Sequence, residues 1–249
     1  MLKEALKYIV GLSVPHTFDI GDSCYTDKPL SRIPASLLAS PLNVHTLTGV
    51  LDYLQQETDR GSMRGERFII HVIDYNHVRL TRELNADRAR EVLLEVEDST
   101  RKFPFGTYMS TEDFIVGIQS HFVQDEMTET ILRLLSNIVD SNSITQSDDG
   151  MTQSVTAKTG IVTRGAVDVP NPVILRPLCT FSEIKQPERR LLLRLRSGCR
   201  DGEGVQAALF EADGNAWKSS AILTIRDYFI SELYADDTAI AAGSIIILA

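Results

Sequence analysis

The chain has 249 residues, 43% apolar and 24% charged, which is the make-up of an ordinary globular protein able to bury a core without disulfides or a structural metal. Its net charge of −9 argues against non-specific binding along nucleic acid, where each phosphate contact needs a cation. Three scattered cysteines, Cys24, Cys179 and Cys199, exclude a disulfide framework and suit a reducing compartment.

In chain order, Met1 to Val10 carries Leu2, Ala5, Leu6 and Ile9 on one helical face. This opening has lysines but no long apolar core and no small-residue cleavage site, so no signal peptide is expected and the cytoplasm is the expected location. Residues 11–43 are rich in Pro, Ser, Gly and Asp and read as loop with short extended pieces. Thr46 to Glu57 predicts a second helix with the stripe Leu47, Val50, Leu51 and Leu54, and Arg60 to Glu66 a loop. Phe68 to Ile73 and Val78 to Thr81 predict two strands around a turn at Asp74-Tyr75-Asn76. Ala86 to Val96 is expected to be helical. Ser110, three residues before Asp113, predicts a capped helix start running to Phe122, and Glu126 to Val139 predicts another helix.

Asp140 to Gly150 is a polar break and the best candidate boundary. Beyond it β-branched runs between Gly and Pro predict strands at 152–157, 160–163, 173–179, 191–196 and 205–210. A long helix follows at Ala216 to Tyr234, then a buried final strand near Ser244 to Leu248. That closing apolar run is too short to span a bilayer, and no membrane partner is expected. The expected fold is α+β. Residues 1–140 form a helix-rich half, and residues 141–249 a mixed or antiparallel sheet closed by a long helix, the two halves being compatible with one domain.

Charge is unevenly placed. Residues 1–140 carry a net −7, residues 141–200 a net +4 and residues 201–249 a net −6. The positive stretch contains Lys185 to Arg200. In a strand there, Arg194 and Arg196 share one face, continued by Arg190 and Leu192, while Leu193 and Leu195 take the other. Several guanidinium groups on one face suit phosphate or carboxylate, which they bind bidentately. Lys158, Arg164 and Arg176 are candidates to extend that surface. The plainer alternative is a half-exposed strand whose arginines pair with the acidic surplus elsewhere.

Two acidic groups invite a metal reading. Asp148-Asp149-Gly150 is either a cation-binding pair or a solvated turn. Glu211 and Asp213 share a face on an extended backbone, with Lys218 beyond the turn. Either they hold Mg2+ or Mn2+, or Asp213 or Asn215 caps the next helix while Gly214 makes the turn. The five histidines are dispersed without zinc-like spacing, and no phosphate-cradling glycine loop or nucleophile elbow is present.

Three stretches stand out as a set: SDDGMTQSVTAKTGIV (Ser147 to Val162), VPNPVILRPLCTFSEIKQPE (Val169 to Glu188) and LFEADGNAWKSSAILTIRDYF (Leu209 to Phe229). Together with LNVHTLTGVLDYLQQETD (Leu42 to Asp59) they resemble the YfdQ-like proteins, an uncharacterised family encoded by bacteriophages and prophages. The resemblance runs from about Leu42 to the end of the chain. The chain departs from the family pattern at Leu178-Cys179, where Tyr-Arg is usual, and at Asn215, where a second glycine is usual. The resemblance implies a phage or prophage gene product of the bacterial cytoplasm and implies no reaction.

Three functional classes follow. The leading one is a non-enzymatic accessory protein that self-associates and binds a phosphate-bearing ligand (a nucleotide or single-stranded nucleic acid) or a host protein, in DNA metabolism or host takeover. The second is a metal-dependent nuclease or phosphoesterase, with Glu211, Asp213, Asp148 and Asp149 holding the metal and Lys218 supporting the transition state. The third is a structural or assembly protein presenting its acidic first half to partners.

Overall fold

Alternating apolar positions between residues 68 and 97, and again between 189 and 211, fold into two sheets, each backed by helices. The structure is a computed structural model that describes residues 2–21, 23–28, 38–56, 67–85, 88–139, 143–148, 153–159, 162–198, 204–234 and 245–249. It divides into two compact units, Met1–Leu38 and Ala39–Ala249.

The first unit holds helix α1 (Leu2–Gly11) and a hairpin of β1 (Thr17–Ile20) and β2 (Ser23–Thr26). Phe18 stands opposite Tyr25, and Gly21, at φ +62°, supplies the left-handed turn residue that a tight hairpin needs. Asp27 ties the hairpin's ends through the backbone N–H and ring of His16, and Lys28 donates to the carbonyls that follow α1.

The second unit opens with β3 (Leu42–Val44) and α2 (Thr48–Gln55). The strands β4 (Phe68–Asp74), β5 (His77–Leu84) and β6 (Arg90–Glu97) follow, then β7 (Met109–Ser110) and the helices α3 (Thr111–His121) and α4 (Glu126–Val139). After these come β8 (Ser143–Asp148), β9 (Gln153–Thr159), β10 (Val162–Val169) and β11 (Val173–Leu175). The chain closes with β12 (Arg189–Ser197), β13 (Val205–Glu211), α5 (Ala216–Tyr234) and β14 (Ile245–Leu248). Among the described residues no helix is long and apolar enough to cross a membrane.

A five-stranded mixed sheet has the order β14-β4-β5-β6-β3, with the outer pairs parallel and the inner ones antiparallel. Ile70, Val72, Val78, Leu80 and Val96 alternate onto its buried face and meet α2 and α5. The second sheet, β11-β12-β13-β7, is antiparallel. Its inward residues Leu191, Leu193, Leu195, Ala207 and Leu209 meet α3 and α4. A third sheet, β10-β9-β8, touches β12 through β8.

The fold is therefore α+β, but the expected helix-rich first half is corrected. Residues 1–140 hold seven strands beside four helices among the described residues. The largest single change lies at residues 90–97, where the expected helix from Ala86 to Val96 is the strand β6. Its run Val92-Leu93-Leu94-Glu95-Val96 is β-branched in part and pairs on both sides, with β5 and with β3. Burial on a pleated surface decides such a segment against helical spacing. The two halves on either side of residue 140 share both larger sheets, because β14 adds to β4 and β7 adds to β13. Within the polar stretch Asp140 to Gly150, residues 143–148 form β8 and the others lie outside the described residues, as does the loop from Arg60 to Glu66. The strand expected over 173–179 stops at Leu175, with Pro177 making a lone bridge to Phe122.

Candidate functional site

Strand β12 turns two different faces to two different environments. Arg189, Leu191, Leu193 and Leu195 face inward and are buried, while Arg190, Leu192, Arg194 and Arg196 take the outward positions. The outward face continues across the register. Arg190 lies opposite Ile174 of β11, and Leu192, Arg194 and Arg196 lie opposite Phe210, Ala208 and Gln206 of β13.

The arginines on that face are set against aromatic rings. The guanidinium carbon of Arg196 lies 3.8 Å from the ring centre of Tyr108, and its Nε donates to Gln206 Oε1 at 3.0 Å. Tyr108 in turn meets Phe210 edge-on at 5.7 Å. Arg190 is exposed, and Arg194 and Arg196 are half-buried. One strand face thus carries three guanidinium-bearing positions beside two partly exposed rings. Such a surface can bond phosphate oxygens while a planar base stacks on an aromatic or guanidinium plane.

Of the other basic candidates, Arg176 lies in an ion pair. Its Nη2 donates to Asp125 Oδ2 at 3.1 Å beside the start of α4, and both side chains are half-buried. Burial raises the pKa of Asp125, but the N–H of Thr128 and Arg176 outweigh it and hold the carboxyl below its ordinary value. Lys158 and Arg164 fall on β9 and β10, and only their backbones are described.

Glu211 and Asp213 share a face, as extended spacing requires, and what they share it with is Arg189. This arginine is 2% exposed. Its Nε donates to Asp213 Oδ2 at 2.8 Å, and its Nη2 donates to Asp213 Oδ1 at 3.1 Å and to Glu211 Oε1 at 2.8 Å. The guanidinium carbon lies 4.6 Å from the ring centre of Trp217 and 5.1 Å from that of Phe105. Burial opposes the charge on Arg189, but its bonds to Asp213 and Glu211 prevail and raise its pKa. Burial likewise pushes Asp213 up, and the bond from Arg189 outweighs it, so the carboxyl is held below its ordinary value.

Both carboxylates thus already hold a cation that belongs to the protein. Asp213 also accepts from the N–H of Asn215 at 3.1 Å, and Gly214 and Asn215 turn left-handed, at φ +59° and +65°, into α5. Asp148 ends β8 with only its backbone described, and Asp149 lies outside the described residues. Among the described residues no group of three or more His, Cys, Asp or Glu side chains is placed to hold a metal ion.

Around Arg189 the two larger sheets meet. Tyr75, at the β4–β5 turn, packs edge-on against Trp217 at 4.7 Å, and Lys218 Nζ lies 5.2 Å from the Tyr75 ring centre. Thr180 Oγ1 donates to the Tyr75 carbonyl, and Lys102 donates to the Cys179 carbonyl at 3.0 Å while pairing with Asp98. Burial pushes the Cys179 thiol up to about 11, which leaves it protonated and unreactive at neutral pH. Lys218 thus packs against the rings at the junction between the sheets.

The sequence spacing located the outward arginines but missed Arg189. The available signal was parity, since Arg189 is two residues before Leu191 and so on the leucine face. A buried arginine there requires carboxylates of matching parity, and Glu211 and Asp213 supply them. No protein-family model matches the chain, and no curated protein or solved structure matches it.

Proposed function

We propose that the protein is a non-enzymatic, self-associating accessory protein, of the phage or prophage kind its motifs resemble, that binds a phosphate-bearing ligand on the outward face of β12. The observation that supports this reading is the alignment of Arg190, Arg194 and Arg196 on one strand face beside Tyr108 and Phe210. The ligand is a nucleotide, whose phosphates meet the arginines and whose base stacks on the rings. The overall charge of −9 favours a small ligand over a long polyanion, because repulsion from the rest of the chain grows with the length of the polymer. Single-stranded nucleic acid offers the same phosphate and base chemistry and is the second probe to try. Glu211 and Asp213 give the nuclease reading no support, since they are bonded to Arg189.

The test is calorimetric titration at low salt with ATP, inorganic pyrophosphate and a 20-mer of deoxythymidine, on the natural chain and on Arg190→Glu/Arg194→Glu. The expected result is binding of ATP that weakens with added salt and falls at least tenfold in the double variant. Absence of binding to all three probes at millimolar concentration overturns the reading. So does binding that the double variant leaves unchanged.

A further inference from the structure

The first compact unit, Met1–Leu38, is built as half of a packed structure. Its helix is amphipathic, with Leu2, Leu6 and Ile9 on one stripe. Its hairpin is two-faced: Phe18, Ile20 and Tyr25 lie on one side, and Thr17, Asp19, Cys24 and Thr26 on the other. Yet none of the described side chains of this unit is buried, and ten of its large apolar residues are more than half exposed. Leu2 is 81% exposed and Tyr8 is 70% exposed.

A segment of this size does not hold such a surface open to water for stability. Below about 40 residues a unit generally needs disulfides, a metal or association to stand. A two-stranded hairpin by itself is marginal, and both of its edges are templates for further pairing. The six side chains of these two faces present roughly 700 Å2 of apolar surface, close to the ~800 Å2 that each partner contributes to a stable protein interface.

Charge selects the occupant. Residues 1–38 contain four Lys/Arg and four Asp/Glu, a net of zero in a chain of −9. Helices that lie on anionic membranes carry an excess of Lys/Arg on the polar face, and α1 has only Lys3 and Lys7 with Glu4 between them. A neutral unit can meet its own copy without the repulsion that the acidic remainder would impose.

We propose that the apolar faces of α1 and the β1–β2 hairpin pair with the same unit of a second copy of this chain, forming the contact through which the protein self-associates. This rests on the self-association in the function proposed above and names its surface.

The test is sedimentation velocity of the full chain over a dilution series, alongside Leu6→Glu/Ile9→Glu and, separately, Phe18→Glu. Circular dichroism and Trp217 fluorescence check that the second unit is intact. The expected result is a dimer or larger species for the natural chain and a 27.7 kDa monomer for both variants, with unchanged spectra. Arg190→Glu/Arg194→Glu is expected to assemble like the natural chain. A natural chain that is monomeric at every concentration overturns both this inference and self-association. One that is monomeric but floats with phosphatidylglycerol vesicles assigns the surface to a membrane and overturns it too. An assembly that survives both apolar-face variants overturns this surface alone and leaves self-association standing.

Discussion

Arg189 is a full cation set among leucines, and everything around it follows from that cost. An isolated charge is not tolerated at 2% exposure, so the guanidinium fork is filled by Asp213 and Glu211 and its plane is covered by Trp217 and Phe105. Asp213→Asn leaves half of this arrangement and exposes the cost. Glu211 still answers the charge, so the expected loss at pH 7 is about 3 kcal/mol, the low end for breaking a buried pair. The acid dependence has a definite sign. The folded-state pKa of Asp213 is depressed, so the folded protein binds fewer protons there than the unfolded chain. Its contribution is complete above the unfolded carboxylate range near 4 and is lost as the pH falls through the lower folded value. Urea midpoints should therefore separate the natural chain from Asp213→Asn at pH 7 and draw together below about pH 4. A gap that stays constant to pH 3 would show that the proton linkage lies elsewhere. Arg189→Lys is expected to lose stability as well, because a lysine cannot reproduce the planar fork. Strand parity made the shared face of Glu211 and Asp213 legible in advance. Their cation was not, because it sits 22 and 24 residues back across the β12–β13 hairpin, just before the residue where the strand was expected to begin.

Helices with one apolar stripe and strands bounded by turn residues were legible, and a short continuous apolar run was not. Helices α4 and α5 have the expected bounds, because each buries one stripe against one sheet. The cap of α3 is also where its spacing placed it, with Ser110 Oγ accepting from the Asp113 N–H at 3.1 Å. Strand β6 was missed because Val92-Leu93-Leu94 is a continuous apolar run, whose periodicity does not separate a strand from a helix. A glycine inside α3 shows how packing overrides local preference. An alanine in place of Gly117 would gain about 1 kcal/mol of helix propensity. Its Cβ, however, would stand 2.8 Å from Phe103 Cε2. Phe103 is buried and wedged among Phe105, Phe114 and Phe122, so it has little room to give. Overpacking costs about 1–3 kcal/mol, so Gly117→Ala is expected to be net destabilising by about 1 kcal/mol. Adding Phe103→Leu should restore part of the alanine's benefit relative to Phe103→Leu alone. A Gly117→Ala chain with a raised melting temperature would mean that the ring moves freely.

At the scale of the second unit, two sheets with separate cores are joined by the segment 177–188. Pro177 bridges to Phe122 under the antiparallel sheet, whereas Phe181 and Ile184 enter the core of the mixed sheet. Glu183 reaches further and accepts from the N–H groups of Leu47 and Thr48 at the start of α2, at 2.7 and 3.4 Å. The shape of this segment is held by one side chain. Gln186, buried, accepts from the N–H groups of Cys179 and Thr180 and donates to the carbonyls of Thr180, Phe181 and Ile184. No periodicity announces such a residue, because it answers irregular backbone that cannot pair within a helix or strand. Gln186→Ala leaves several of these groups buried without partners, and each carries a cost of about 1–3 kcal/mol, softened by whatever water enters. A total loss of about 2–4 kcal/mol is expected, with a fall in melting temperature of roughly 5–15 °C. The change should also be visible in cooperativity. The single tryptophan, Trp217, sits at the junction of the sheets and reports their contact, while far-ultraviolet circular dichroism reports both sheets together. In the natural chain the two probes are expected to give one coincident urea transition. In Gln186→Ala the fluorescence change should come at lower urea than the loss of circular dichroism, because the junction opens before either core does. Coincident curves in the variant, shifted together, would mean that the segment adds stability without coupling the sheets.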